Sequence, residues 1–314
     1  MFTSTFKSIP LLAIILAASV EAHSVAATID SNTLLDASNP FLNETLTIVD
    51  GASPPTRLTV LDGARVTSDT LAIDAYGLSI IDMRGGSLNS EDFGLRLNDD
   101  SKFILSGGRI NSINFSAEAR DRSMIELRGG ERLEGFKLLD SSYLHIISGD
   151  FDVLQVDGLG NSRTVMTGGR PSEVELYDDA SFVLHNGILA EALITNGRSR
   201  ALIKSGGIGS VVRANGESLL TVRGGLIPET VVVFDSATIH FYGTGLHFDE
   251  DDLNPQVKLI QGTLADGTNL DVRYQIHDQG EIILHEVPEP GSWALMAMGA
   301  TGVYFARRWR ERAA

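Results

Sequence analysis

Clustered carboxylates, histidines and serines are the side chains in this sequence with the chemistry to act on a substrate or hold an ion. Adjacent carboxylates occur at Asp99-Asp100 and Asp178-Asp179. Paired carboxylates do acid–base work on glycosidic bonds when they converge across a cleft. Neighbours at a turn diverge into solvent instead, and both pairs fall at corners aligned with Asp140-Ser141 and Arg200, so they read as hydrated corners. The run Asp249-Glu250-Asp251-Asp252 offers hard oxygen ligands of the kind calcium takes, which makes Asp249, Asp251 and Asp252 the metal candidates. As a run of four it reads first as a solvated loop. His145, His185, His240 and His247 lie on or near strand-like segments without ligand spacing, and His247-x-Asp249 alone does not define a metal site. No Ser nucleophile elbow is present. The residue types therefore predict no catalytic constellation, no resident metal and no cofactor.

The elements that position these residues are set by a repeat. The first Gly of successive turn signals falls at Gly63, Gly85, Gly107, Gly129, Gly149, Gly168, Gly187, Gly206, Gly224 and Gly243, in steps of 18–22 residues. A period near 20 is the signature of a solenoid. Before each turn, apolar residues alternate with period two, as in Ile81 and Met83, Phe103 and Leu105, or Ile125 and Leu127. Such alternation predicts short strands with one buried face. A second apolar pair follows each turn: Leu95 and Leu97, Ile113 and Phe115, Phe136 and Leu138, Val174 and Leu176, Ala192 and Ile194, Val231 and Val233. Then comes a polar corner, often with a serine (Ser79, Ser101, Ser123, Ser162, Ser181, Ser218).

This pattern predicts an all-β, single-stranded parallel β-helix of about ten coils. One Gly of each pair is expected to take positive φ, and the missing side chain to let neighbouring coils approach. The leucine-rich frame is missing, and a propeller blade needs about twice the period. Gly206-Gly207-Ile208-Gly209 begins like a calcium β-roll, but Val211 stands where an Asp is required. No Gly-x-Gly-x-x-Gly run links a strand to a helix. The expected organisation is a signal peptide at 1–27, an N-terminal cap at 28–56, the solenoid at 57–245, a C-terminal β cap at 246–286 and a tail at 287–314.

The chain carries 25 Lys and Arg against 41 Asp and Glu, for a net charge of −16, which makes nucleic acid and anionic lipid poor partners. It has no cysteine, so burial and hydrogen bonding alone hold the fold.

The two ends say where the protein goes. Lys7, the apolar stretch Ile9 to Val20, and Ala22, Ala26 and Ala27 lay out a secretory signal peptide with cleavage between 22 and 27. At the other end, Val287-Pro288-Glu289-Pro290 precedes an apolar run, with an expected transmembrane segment at 292–306, and the basic stop Arg307, Arg308, Arg310 and Arg312. The prolines keep the segment before the span extended. Signal peptide, Pro-Glu-Pro, short span and arginine cluster together resemble the PEP-CTERM family of exported bacterial proteins. The resemblance implies an exosortase as partner, transient anchoring in the inner membrane, and release or transfer to the cell surface of a bacterium that makes exopolysaccharide. Removal of the arginines leaves a body more acidic than the full chain.

The function expected is that of a non-catalytic structural or polysaccharide-associated protein of the cell surface or extracellular matrix, whose repeated face makes many weak contacts with extracellular polysaccharide. The alternative is a polysaccharide lyase or glycoside hydrolase on the same scaffold. An adhesin or ice-binding protein comes third, although the one Thr-x-Thr, at Thr45 and Thr47, lies outside the repeat. The tail reading predicts that the secreted form has an intact mass ending near Pro290 in the presence of the exosortase. A secreted form that retains Arg307 to Arg312 refutes it.

Overall fold

The computed structural model describes residues 27–38, 44–51, 55–131, 133–251 and 254–287. The signal peptide before Ala27, Asp252, Pro288, Glu289, Pro290, the expected span 292–306 and the basic stop Arg307, Arg308, Arg310 and Arg312 lie outside the described residues.

Short apolar-alternating segments punctuated by glycine cannot bury a face alone, and here they stack on their own repeats. The result is an all-β solenoid of about 10 turns, with no helix among the described residues. A 25-stranded hydrogen-bonded network resolves into two long parallel faces. Face A runs through the strands Arg57–Val60, Ile80–Met83, Lys102–Leu105, Met124–Leu127 and Tyr143–Ile146. It continues through Arg163–Met166, Ser181–Leu184, Arg200–Ile203, Leu219–Val222 and the start of Thr238–Asp251. Face B includes Leu71–Ala75, Phe93–Leu97, Phe115–Ala119, Gly135–Leu138, Asp150–Gly158, Arg170–Leu176, Ala192–Thr195, Val211–Ala214 and Thr230–Val233. Short strands such as Arg65–Ser68, Ser87–Ser90 and Arg109–Asn111 form a third side.

The first strands, Ala27–Ile29 and Leu46–Ile48, already lie in face B, and Thr33–Leu35 lies in face A. After the last regular coil, Thr238–Asp251 runs on into an antiparallel excursion with Asn254–Leu264. The chain then resumes both faces through Asn269–Ile276 and Glu281–Glu286.

Parallel register sends the same columns inward in every coil. Ile81, Met83, Phe103, Leu105, Ile125 and Leu127 are fully buried, as their alternation predicts. The expectation fails at two places on face B. Ala117 and Ala119, not Ile113 and Phe115, pair with Leu95 and Leu97 and are buried, while Ile113 is 72% exposed. Phe115 stacks outside on Phe93. Likewise Leu193 and Thr195, not Ala192 and Ile194, align with Val174 and Leu176. The neighbouring coil sets the register, and it overrides the size of the side chains.

The glycine pair divides its labour, as Gly107-Gly108 shows. A Cβ on Gly107 would come 2.5 Å from the Arg84 carbonyl oxygen of the preceding coil, and Gly108 takes φ +85°. Gly85, Gly129, Gly168 and Gly224 occupy the close-approach position, while Gly149, Gly187 and Gly206 take positive φ. Gly243 does not continue the series: it sits inside Thr238–Asp251, opposite Leu264. The polar corner also needs correction. Ser79, Ser101, Ser123, Ser162 and Ser218 are buried inside the solenoid, whereas Ser181 is half-buried on face A and Ala180 takes the interior position. The hydroxyls of Ser79, Ser101, Ser123 and Ser162 find no protein partner. A buried, unmatched hydroxyl costs stability. Ser123→Ala is therefore expected to leave the urea midpoint unchanged or raise it, whereas Gly108→Val lowers stability by at least about 2 kcal/mol. Equal losses in the two variants would contradict this account of the corner.

Candidate functional site

The corner from face B to face A forces one residue per coil into the left-handed region, and the sequence fills it with Asp or Gly. Asp99, Asp121, Asp140, Asp178 and Asp235 have φ of 59°, 56°, 56°, 53° and 55°, alternating irregularly with Gly77, Gly160, Gly197 and Gly216. Asp tolerates this conformation and adds an acceptor. The Gly77 N–H donates to Asp99 at 3.0 Å, Asp99 N–H to Asp121 at 3.0 Å, and Asp121 N–H to Asp140 at 3.2 Å. Gly160 N–H donates to Asp178 at 3.1 Å and Gly216 N–H to Asp235 at 2.9 Å. The second carboxylates of the two sequence pairs are also engaged. Arg122 grips Asp100 at 2.8 and 2.6 Å, and Arg198 grips Asp179 at 2.9 and 2.6 Å. These guanidinium bonds hold both carboxyls below their ordinary range. Asp99-Asp100 and Asp178-Asp179 thus tie coil to coil. In the coil after Asp178-Asp179 the corner holds Gly197-Arg198, while Arg200 lies on face A.

Outward residues of face A divide into two halves. In the first, Asp82 accepts from Arg57 at 3.0 Å and Arg84 at 2.7 Å, and Glu126 pairs with Lys102 at 2.9 Å and Arg128 at 2.6 Å. Burial pushes Glu126 up, but the hydrogen bonds from Lys102 and Arg128 outweigh it and leave the carboxyl below its usual value. In the second half, Arg163, Arg200, Lys204 and Arg223 are exposed. None of the ion pairs among the described residues involves them. Arg200 lies near enough to Asp179 to lower its carboxyl, and Arg223 stacks over Tyr242 at 4.9 Å.

Face B gathers the opposite charge. Asp157 and Glu175 are direct cross-strand partners, with Glu173 two residues along and Glu191 nearby. Burial, then the charge of Glu175, raises Asp157; burial, then Glu175, Glu191 and Asp157, raise Glu173. Gln155 donates to Asp157 at 3.0 Å and Asn196 to Glu175 at 3.1 Å. Tyr177, bonded to Glu175, is pushed upward, mainly by burial. Sequence spacing does not reveal this cluster because Asp157 lies 16 and 18 residues from Glu173 and Glu175, which the coil length brings onto adjacent strands.

The histidines do not converge on a metal. His145 meets Thr167 at 3.1 Å, and His247 meets the Gly245 carbonyl at 2.9 Å and lies 4.0 Å from Asp249. His185 offers its carbonyl to the Ser205 hydroxyl. His240 bonds His285 at 2.7 Å, a partner the spacing did not reveal, and burial followed by His285 lowers its pKa. Asp249 and Asp251 lie on the antiparallel excursion, opposite Leu259 and Asn254. No group of three or more potential metal ligands forms among the described residues.

The class defined by these observations is a parallel β-solenoid whose chain leaves the end of face A at Val287, where its N–H donates to Gly243 at 2.7 Å. Residues 286–310 match the PEP-CTERM protein-sorting motif. That motif marks an exosortase-targeted, exported protein that is transiently membrane-anchored before release. Among the described residues no helix is long and apolar enough to cross a membrane. No curated protein and no solved structure matches the chain.

The raised Asp157 carboxyl has a consequence for stability. Its folded form binds a proton more readily than the unfolded chain does, so its contribution is present below the unfolded value of 3.8 and is lost as pH rises through the raised folded value. Asp157→Asn is therefore expected to raise the thermal midpoint at neutral pH, with the gain shrinking as the pH approaches about 4. Thermal melts across that range check it; a gain that grows in acid contradicts it.

Proposed function

We propose that this exported protein is a non-catalytic structural component of the cell surface or extracellular matrix, and that it associates with polysaccharide along its solenoid. The observation that carries this reading is the state of the corner carboxylates. Asp99, Asp100, Asp178 and Asp179, the pairs best suited to acid–base work, are committed to backbone N–H groups or arginines that join successive coils. The repeat also supplies the same outward column many times over, so weak contacts to a long polymer sum by avidity.

A second reading, a polysaccharide lyase or hydrolase, is favoured by the Asp157, Glu173 and Glu175 cluster. Carboxyls raised by burial and by neighbouring carboxylates, as those of Asp157 and Glu173 are, are the kind that serve as general acids. The two readings separate on incubation of the secreted protein with soluble polysaccharides. The structural reading expects co-sedimentation with polymer and no release of reducing ends or unsaturated uronates. Release that disappears in Asp157→Asn or Glu175→Gln makes the enzyme reading correct.

A further inference from the structure

We propose that the second half of face A binds an acidic polysaccharide, a polymer with about one carboxylate or sulfate for every one or two sugars. The inference rests on the polysaccharide-associated reading and names the class of ligand and the surface that takes it.

Charge placement is the primary observation. Over five successive face A strands, from Arg163–Met166 to the start of Thr238–Asp251, no outward position between Arg163 and Tyr242 holds Asp or Glu. The same positions hold exposed Arg163, Arg200, Lys204 and Arg223, in a chain whose net charge is −16. The first half of the face shows the alternative within one protein: there, Asp82 and Glu126 each pair with two cations and halve their net charge. Cations with no carboxylate partner on their own face leave a locally positive field there, which an external anion can meet.

Spacing and surroundings select the kind of anion. Strands repeat at about 4.8 Å, which places Arg163 and Arg200 roughly 10 Å apart along the rod and Lys204 and Arg223 about 5 Å apart. Duplex DNA carries one charge per about 1.7 Å and needs a far denser array of cations. The corner beside face A, with Asp178, Asp179, Glu217 and Asp235, and the acidic cluster on face B repel such a polymer and an anionic bilayer alike. A sparsely charged, hydroxyl-rich chain meets less of that repulsion. Between the cations lie Thr167, Ser181, Thr221 and Tyr242 for hydroxyl groups, and Val183 and Leu202 as low apolar relief for sugar C–H faces.

The test uses the secreted protein and polygalacturonate as the probe, with dextran as neutral polymer, duplex DNA and anionic vesicles as competing classes. The expected result is binding to polygalacturonate that weakens at least about tenfold between roughly 20 and 200 mM salt. Arg200→Gln with Lys204→Gln is expected to weaken it at least about tenfold, whereas Lys137→Gln with Arg213→Gln, equal in charge but on face B, changes it by less than about twofold. If the first double variant unfolds, Arg163→Gln on a separate strand carries the same comparison. Equal effects of the two double variants, or tighter binding to DNA or vesicles, overturn the proposal. Equal binding to dextran and polygalacturonate overturns the charge-based inference and leaves polysaccharide association standing; binding to neither overturns both.

Discussion

Each coil of this solenoid exposes rows of backbone N–H and C=O groups that only the next coil can satisfy, and the rest of the structure follows from that requirement. Parallel pairing demands constant register, so every outward column, inward column and corner is repeated at one rung of translation. The corner Asp series is the side-chain version of the same bond. Asp99, Asp121 and Asp140 each reach back to the coil before and cap a backbone N–H. An acidic residue at this corner is therefore structural first, and part of the chain's large negative charge is a by-product of how its coils are joined.

That distribution changes what the net charge means. A net charge of −16, spread evenly, predicts a surface that repels polyanions everywhere. The solenoid sorts charge by column instead: carboxylates line the corner and part of face B, and unneutralised cations occupy the second half of face A. The first half of face A differs because Asp82 and Glu126 pair with its four cations and offset half of their charge. A rod with one face unlike its others is suited to a side-on contact with an extended polymer. The sorting motif starts at Glu286, the last residue of the last described face A strand.

Much of the architecture was legible because the repeat carries it twice, in glycine and in apolar alternation. The failures are local and share one cause. Ile113 and Phe115 were expected inside because they are large and apolar, but register with Leu95 and Leu97 placed Ala117 and Ala119 there. Residue type places the serines at a polar corner, yet they occupy the interior just past the turn, where a small side chain fits. In both cases a local rule about residue type gave way to a bond made with a distant segment.

The sequence by itself determined the class of fold, the length of its repeat, the absence of disulfides and the address carried by the tail. Those properties depend on periodicity and composition, which are carried by the order of residues along the chain. Only the tertiary structure decided which carboxylates are committed to holding coils together, which are crowded into the cluster of Asp157, Glu173 and Glu175, and which cations of face A form no ion pair with a described residue. Those distinctions depend on side chains about twenty residues apart that stack within one strand spacing. The length of each coil, which varies along the chain, fixes that alignment only once the coils are bonded.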